Sequence, residues 1–282
     1  MTHPAAILNK VKIFAGKELG QNFIADPGYA DKILDRAGID PEEIVLEIGP
    51  GLGALTISCA CRVNRMIAVE KDFRLVPLLE KELSLKEISN VEVIREDFLK
   101  LAIHKIALTK KLVVMGNLPY NISSQILFKL IQEREHIKRA ILMFQKEVAQ
   151  RICAQPGTRE FSRLSAVVQY CASIRDVLDL KPECFFPKPE VDSRVIEIRF
   201  DKETPFDKSM EAFHFDVIRA AFSKRRKTLK NSLSGAGLPV DKTDIPLALD
   251  SAGIDPQRRA ETLSTDEFIS LSRCLEKYSG KA

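Results

Sequence analysis

The sequence lacks the long apolar runs that a membrane or an export pathway requires. No stretch approaches the roughly 18 consecutive apolar residues typical of a membrane-spanning helix. The first 20 residues also lack a continuous apolar core and a small-residue cleavage signal, which are the two marks of a secretory leader. We therefore expect a cytoplasmic protein without a membrane partner.

Cysteine is too scattered for a disulfide framework or a zinc site. Of the six cysteines, only Cys59 and Cys61 lie close together, and one C-x-C pair lacks the second pair of ligands that zinc needs. Such thiols are usually buried apolar side chains in a reducing compartment. The sequence therefore predicts no metal centre.

An excess of charge of one sign is also missing. The 282 residues include 43 basic and 39 acidic side chains, for a net charge of +4. Any affinity for nucleic acid must therefore come from local clusters of charge. The hydrophobic share of 45% and the charged share of 29% are those of an ordinary globular protein.

From residue 44 onward, short apolar runs alternate with amphipathic segments, a pattern typical of a parallel sheet with helices on both faces. Strands are predicted at residues 44–48, 66–69, 91–94, 112–115 and 140–144. Helices are predicted at residues 54–63, 73–83, 123–131 and 148–154. We expect a Rossmann-like α/β sheet.

Two further strands, at residues 177–180 and 195–200, flank a proline-rich loop and suit an antiparallel edge. They bring the predicted sheet to seven strands. The polar segment at 201–208 looks like a linker, and only helical spacing follows it. We therefore expect an α/β domain over residues 1–203 and a small all-helical domain over residues 204–282.

A glycine-rich turn follows the first predicted strand. Gly49, Gly51 and Ala54 fit the loose G-x-G-x-x-G/A pattern, and glycine lets the backbone approach a ligand closely because no Cβ intervenes. Taken alone, this turn fits NAD as well as S-adenosylmethionine.

Polar side chains follow the next three strands, at the edge where ligands of open α/β sheets bind. Glu70 ends the second strand and could accept both ribose hydroxyls of a cofactor. Asp97 follows the third strand and could accept the amine of the cofactor's adenine. Asn117 follows the fourth strand.

The motif Asn117, Leu118, Pro119, Tyr120 suits methyl transfer to an exocyclic amine. The N6 lone pair of adenine is delocalised into the ring, and two acceptors could localise it. The Asn117 side-chain oxygen and the Leu118 carbonyl could each accept one N6 hydrogen. Pro119 stiffens the turn, and Tyr120 offers a face on which a base can stack. Catalysis would come mainly from positioning and oriented dipoles.

Prolines at 187 and 189 predict an extended, rigid loop. Such a loop could hold Phe185 or Phe186 over the opposite face of the target base, since extruded bases stack between aromatic or apolar side chains. The other phenylalanine would then belong to the core.

Residues 217–233 combine six basic side chains with no acid. If this segment forms one helix, its apolar residues make a buried stripe and its cations lie outside. That composition favours a phosphate-binding face, because a solvated face normally has mixed charges. The residues predicted to contact RNA are Arg219, Lys224, Arg225, Arg226, Lys227 and Lys230, with Lys10, Lys12 and Lys17 as an extension.

Together with Gly20-Gln-Asn-Phe-Ile24 and the loop at 185–193, these motifs resemble the KsgA-type dimethyladenosine transferases. That family methylates two adjacent adenines near the 3′ end of small-subunit ribosomal RNA. The resemblance covers nearly the whole chain and implies S-adenosylmethionine as cofactor. It implies small-subunit ribosomal RNA and the pre-30S particle as partners, and we expect a monomer.

The resemblance also implies roles for single residues. Phe185 takes the stacking position of the family's F-x-P-x-P pattern. Ile24 stands where Leu is common, and Glu190 stands where Lys is common, which removes a positive charge from a loop near RNA. The implied cofactor contacts are Asn22, Ile24, Gly49, Glu70, Asp97 and Asn117.

Three alternatives stay open at this point. An Erm-like methyltransferase acting on large-subunit RNA shares the same catalytic logic. A ribosome-assembly factor with a vestigial site would not need Glu70, Asp97, Asn117 and Tyr120 together. An NAD-dependent dehydrogenase leaves the Asn117 motif and the basic segment without a purpose.

Overall fold

The computed structural model describes residues 3–10, 20–107 and 110–280. The chain forms two compact units, Met1–Ala149 with Ile174–Phe200, and Gln150–Ser173 with Asp201–Ala282. The second unit thus takes in Gln150–Ser173, which the alternating sequence pattern attributes to the α/β part. The domain boundary after residue 203 stays a prediction.

Nine strands lie in the described part of the chain, and seven of them form one sheet. In chain order they are β1 (Phe23–Ile24), β2 (Ile44–Ile48), β3 (Arg65–Glu70), β4 (Val91–Arg95), β5 (Leu112–Asn117), β6 (Ile137–Gln145), β7 (Ser173–Leu180), β8 (Phe185–Phe186) and β9 (Ser193–Arg199). The large sheet has the order β4-β3-β2-β5-β6-β9-β7, and β1 pairs with β8.

The large sheet is parallel from β4 to β6, and β9 joins β6 antiparallel. Its central strands are nearly continuous runs of buried apolar residues, as in Leu112–Asn117, because helices cover both faces. The predicted seven-stranded Rossmann-like sheet with an antiparallel edge is therefore confirmed. All the parallel strands direct their carboxyl ends to one edge.

Eleven α-helices lie in the described residues. They are α1 (Pro4–Lys10), α2 (Pro27–Ala37), α3 (Ala54–Ala60), α4 (Val76–Leu85), α5 (Ser123–Gln132), α6 (Lys146–Cys153), α7 (Arg163–Cys171), α8 (Lys208–Ala221), α9 (Leu229–Ser234), α10 (Asp244–Ser251) and α11 (Thr265–Glu276). Pro77 stands in the first turn of α4, where its missing N–H costs no hydrogen bond. The helix predicted from residue 73 therefore starts at Val76.

The prediction of one basic helix over residues 217–233 is wrong. The helix α8 ends at Ala221, and α9 begins at Leu229 after the extended Thr228. The four consecutive cations at 224–227 lie in the turn between the two helices. Like charges three and four residues apart destabilise a helix, and a turn lets these side chains diverge into solvent.

The second unit has its own core around α8 and α11. Val217 and Ile218 are buried on α8, and Phe268 and Leu271 are buried on α11. In the part of the chain that the structure describes, no helix has both the length and the apolar character needed to cross a membrane.

Candidate cofactor and active site

The loop between β2 and α3 depends on glycine at three positions. Gly49, Gly51 and Gly53 have φ angles of 66°, 57° and 86°, in the left-handed region that favours glycine. A Cβ on Gly51 would lie 2.9 Å from the Phe23 ring, whereas a Cβ on Gly49 would meet nothing within 4 Å. The backbone at Gly49 therefore faces open space, as a close approach to a ligand requires.

Two adjoining cavities open at the carboxyl edge of the sheet. They share lining residues, among them Gly49 and Glu70. Pro119 also lines both, which brings the Asn117 motif to the same place. All the residues predicted to bind the cofactor line one or both cavities: Asn22, Ile24, Gly49, Gly51, Glu70, Asp97 and Asn117.

Glu70 is 6% exposed and held by the backbone. One carboxylate oxygen accepts a hydrogen bond from the Gly51 N–H at 3.0 Å, and the other accepts one from the Asp72 N–H at 2.7 Å. Burial raises the pKa of Glu70. A carboxylate has about four lone-pair sites, so Glu70 can fix the glycine loop and still accept from a ligand.

Asp97 lines the second cavity and forms an ion pair with Lys71. The Lys71 Nζ lies 2.8 Å from the Asp97 Oδ2. The other oxygen accepts from the Leu99 N–H at 3.0 Å. The hydrogen bond from Lys71 lowers the pKa of Asp97. Asp97 therefore stays an ionised acceptor at neutral pH.

Asn117 ties the end of β5 to the N-terminal segment. Its Nδ2 donates to the Asn22 carbonyl oxygen at 2.6 Å, and the Asn22 amide donates to the Gly20 carbonyl at 3.3 Å. This bond uses one of the two N–H donors of the Asn117 amide and leaves its oxygen available as an acceptor. That oxygen can only accept hydrogen bonds.

The residues after Asn117 are anchored to neighbouring strands. Leu118 is 1% exposed, and its N–H donates to the Met143 carbonyl at 3.4 Å. The Tyr120 hydroxyl lies 3.0 Å from the Ser193 Oγ, and burial raises the pKa of Tyr120. Neither residue lines the two cavities, whereas Pro119 lines both.

Phe185 does not present its ring to the site. It is 4% exposed, pairs in register with Ile24, and packs in the core with Ile33 and Leu34. Phe186 is half-buried and meets His3 edge-on at 5.8 Å between ring centroids. The stacking role expected of Phe185 has no support in this arrangement and stays a prediction.

The six predicted RNA contacts are all exposed. They lie in the second unit, in the turn between α8 and α9 and on those two helices. Arg219 pairs with Asp216 at 2.8 Å, and the Arg225 guanidinium donates to the Arg159 carbonyl at 3.3 Å. Lys10 is exposed at the end of α1. Lys12 and Lys17 lie outside the described residues.

Sequence reasoning missed Glu47, which lines the first cavity and is 2% exposed. Its Oε2 accepts a hydrogen bond from the Thr56 hydroxyl at 2.6 Å. Burial raises the pKa of Glu47 to about 8. The available signal was one acid within the apolar strand Ile44–Ile48. No group of three or more metal-ligating side chains occurs in the described ranges.

Comparison with known proteins identifies the family of the chain. The model of the ribosomal RNA adenine dimethylase family matches residues 15–277. The ribosomal RNA small subunit methyltransferase A of Desulforapulum autotrophicum is 52% identical over 280 residues, covering 99% of each chain. The protein of the same name from Bacillus mycoides is 41% identical, covering 95% of this chain and 94% of its own.

Solved structures of two methyltransferases are also similar to this chain. A dimethyladenosine transferase from Plasmodium falciparum superposes with a TM-score of 0.78 at 28% identity, covering 91% of this chain and 98% of its own. The 23S rRNA methyltransferase ErmE superposes with a TM-score of 0.67 at 25% identity, covering 90% of this chain and all of its own. This chain belongs to the ribosomal RNA adenine dimethylase family.

Proposed function

We propose that this chain transfers methyl groups from S-adenosylmethionine to N6 of two adjacent adenines near the 3′ end of small-subunit ribosomal RNA. The product is N6,N6-dimethyladenosine, made during ribosome biogenesis. One observation carries the proposal: the predicted cofactor residues line two adjoining cavities that also reach the Asn117 turn.

The residues of the two cavities fit S-adenosylmethionine. Gly49 leaves room for its methionine end, since a Cβ there would meet open space. Glu70 can accept from the ribose hydroxyls, and the ionised Asp97 can accept from the adenine amine. The bound cofactor supplies a methyl group already activated on a sulfonium.

Asn117 and Leu118 act on the target base. The Asn117 amide oxygen and the Leu118 carbonyl each accept one N6 hydrogen, which turns the nitrogen lone pair out of conjugation with the ring. The hydrogen bonds of Asn117 to Asn22 and of Leu118 to Met143 fix these acceptors before the base arrives. Such preorganised dipoles lower the barrier without reorganising during the reaction.

The turn at residues 223–228 would provide affinity for the RNA backbone. Its exposed cations can neutralise phosphates and release counterions, a contribution that is independent of sequence. Selectivity for adenine then comes from Asn117 and Leu118. We place the working protein in the cytoplasm, as a monomer acting on a pre-30S particle.

The rival substrate is large-subunit RNA, as the name of the ErmE neighbour states for that protein. The relatives at 52% and 41% identity bear a small-subunit name, and the dimethyladenosine transferase has the higher TM-score. These similarities favour the small subunit.

The test is transfer of labelled methyl groups from S-adenosylmethionine to small ribosomal subunits that lack the modification. We expect up to two methyl groups on each of two adjacent adenines, located by nuclease digestion. Large subunits serve as the matched control. Label on large subunits alone, or on neither particle, would contradict the proposal.

A further inference from the structure

Glu47 is a buried acid that the proposed mechanism does not use. It lies in the middle of the sheet, paired in register with Ala68 on β3 and Met115 on β5. It is 2% exposed, yet it lines the first cavity beside Gly49. An acid in this position can meet a ligand while it is shielded from solvent.

No cation faces Glu47 among the described residues. Its one hydrogen bond comes from the neutral Thr56 hydroxyl on α3. The other ionisable groups nearby are Glu70 at the end of β3, which repels a second negative charge, and Cys59 on α3. Burial raises the pKa of the Cys59 thiol to about 12, so it remains uncharged.

These surroundings favour the neutral form of Glu47. Taking a carboxylate out of water without a compensating cation is costly, and burial raises the pKa of Glu47 to about 8. Burial raises the pKa of Glu70 as well, but there two backbone N–H groups stabilise the carboxylate. At neutral pH Glu47 therefore holds a proton until a positive charge enters the cavity.

We propose that Glu47 is the counter-ion for the positive charge of the methyl donor, and that it releases its proton to solvent when the donor binds. The inference rests on the proposed function, because S-adenosylmethionine carries a sulfonium and an ammonium group. After methyl transfer the sulfonium charge is gone, and Glu47 regains a proton from solvent. Glu47 thereby favours the donor over the neutral-sulfur product.

Isothermal titration calorimetry tests this coupling without any turnover. S-adenosylmethionine and S-adenosylhomocysteine are titrated at pH 7 in two buffers of different ionisation enthalpy, which gives the number of protons released. We expect the parent protein to release close to one proton per S-adenosylmethionine and distinctly fewer per S-adenosylhomocysteine.

Glu47→Gln is the matched variant, because its amide keeps an acceptor for Thr56 and cannot ionise. At pH 7 the α-ammonium groups of both free ligands are already mostly protonated, so the difference in proton release between the parent and the variant reports mainly on Glu47. We expect the variant to lose the extra proton release. Its preference for S-adenosylmethionine over S-adenosylhomocysteine should fall about tenfold, within the usual range for coupled binding.

Equal proton release by the parent and Glu47→Gln would overturn the inference. Absence of any S-adenosylmethionine binding to the parent would instead count against the proposed function. If Glu47→Gln does not fold, Thr56→Val provides the test, because it removes the single donor to Glu47 and raises its pKa further. At pH 8 that variant should release more protons than the parent, and an unchanged number would also overturn the inference.

Discussion

At the scale of single residues, the proposed role of Asn117 depends on the orientation of its amide. The bond from Nδ2 to the Asn22 carbonyl fixes the amide, whose oxygen accepts an N6 hydrogen in the proposed mechanism. This interaction is needed in the transition state more than in the bound state, since it localises the N6 lone pair.

Asn117→Ala should therefore lower the methyl-transfer rate far more than RNA affinity. A loss of about 100-fold or more is the scale for removal of one preorganised polar group. Single-turnover kinetics with saturating RNA measure the rate, and a salt-matched binding assay measures affinity. A rate within a few-fold of the parent would contradict the lone-pair argument.

Glu70 has a double role, since the same carboxylate orders the glycine loop and faces the cavity. Glu70→Ala should weaken cofactor binding by about 1.5–3 kcal/mol, the scale of hydrogen bonds to a charged group. Calorimetry with S-adenosylhomocysteine measures the loss. Unchanged affinity would remove Glu70 from the site.

Glu47 should make stability depend on pH even without a ligand. Its pKa is raised from 4.5 to about 8 by burial, so the folded state binds the proton more tightly than the unfolded state. Stability is fully present below pH 4.5 and is lost as the pH rises toward 8, by up to about 5 kcal/mol. Comparing urea unfolding of the parent protein with that of Glu47→Gln isolates this loss of stability. If the free energy of unfolding depends on pH in the same way in both proteins, Glu47 is not its cause.

At the scale of elements, the strands of the sheet were predictable because their burial leaves visible apolar runs. The same burial explains why the sequence does not predict α7. Its consecutive residues from Ser165 to Val168 are all buried, so the segment shows no amphipathic period. The helix α2, absent from the prediction, has recognisable sequence signals at both ends, namely the Asp26 cap, Pro27 in the first turn and Gly38 at the end.

The site was predictable to the extent that topology alone determines it. Glu70, Asp97 and Asn117 follow parallel strands, and the ends of parallel strands share one edge. The burial of Phe185 depends instead on the pairing of β8 with β1, two short strands far apart in the sequence. The pKa of Glu47 likewise depends on packing, which no local pattern reveals.

The glycine loop allows a matched test of backbone conformation against close approach. Gly51 and Gly38 have similar φ angles of 57° and 59°, but a Cβ on Gly51 would lie 2.9 Å from the Phe23 ring, whereas one on Gly38 would meet nothing within 4 Å. Gly38→Ala should cost about 1–2 kcal/mol of stability from the left-handed conformation and leave cofactor affinity unchanged. Gly51→Ala should cost more and also weaken cofactor binding. Equal effects of the two substitutions on melting and on calorimetry would contradict this account.

The turn between α8 and α9 should supply RNA affinity without base selectivity. Replacing Arg225 and Arg226 with Gln should reduce the slope of log affinity against log salt by about 0.7–0.9 for each lost phosphate contact. Lys242→Gln with Lys277→Gln is a control of equal charge, since both residues are exposed in the second unit. The methylated position should stay the same in both double variants. An equal change of slope in the control would mean that net charge alone sets the affinity.

At the scale of the whole molecule, we expect opposite changes of pH to destabilise the two units. The first unit contains Glu47, and we expect this unit to lose stability as the pH rises. The second contains His214 on α8, which is fully buried and lies 2.8 Å from the Ser272 Oγ through Nδ1. In the described part of the chain, the Nε2 of His214 has no hydrogen-bond partner. Protonation would therefore place a charge in an apolar setting beside Tyr170, 4.5 Å away between ring centroids.

The second unit should consequently weaken in acid. Burial lowers the pKa of His214 from 6.5 to about 4, so the unfolded state binds this proton more readily than the folded state. Stability is fully present above pH 6.5 and is lost as the pH falls toward 4, by up to about 3 kcal/mol. Urea unfolding at pH 7.0, 5.5 and 4.5, with hydrogen exchange of α8 to identify the unit, measures the loss. His214→Asn keeps a polar partner for Ser272 and cannot take up the proton, so its stability should change less over this range. If the parent and His214→Asn lose stability equally, protonation of His214 does not set the acid limit.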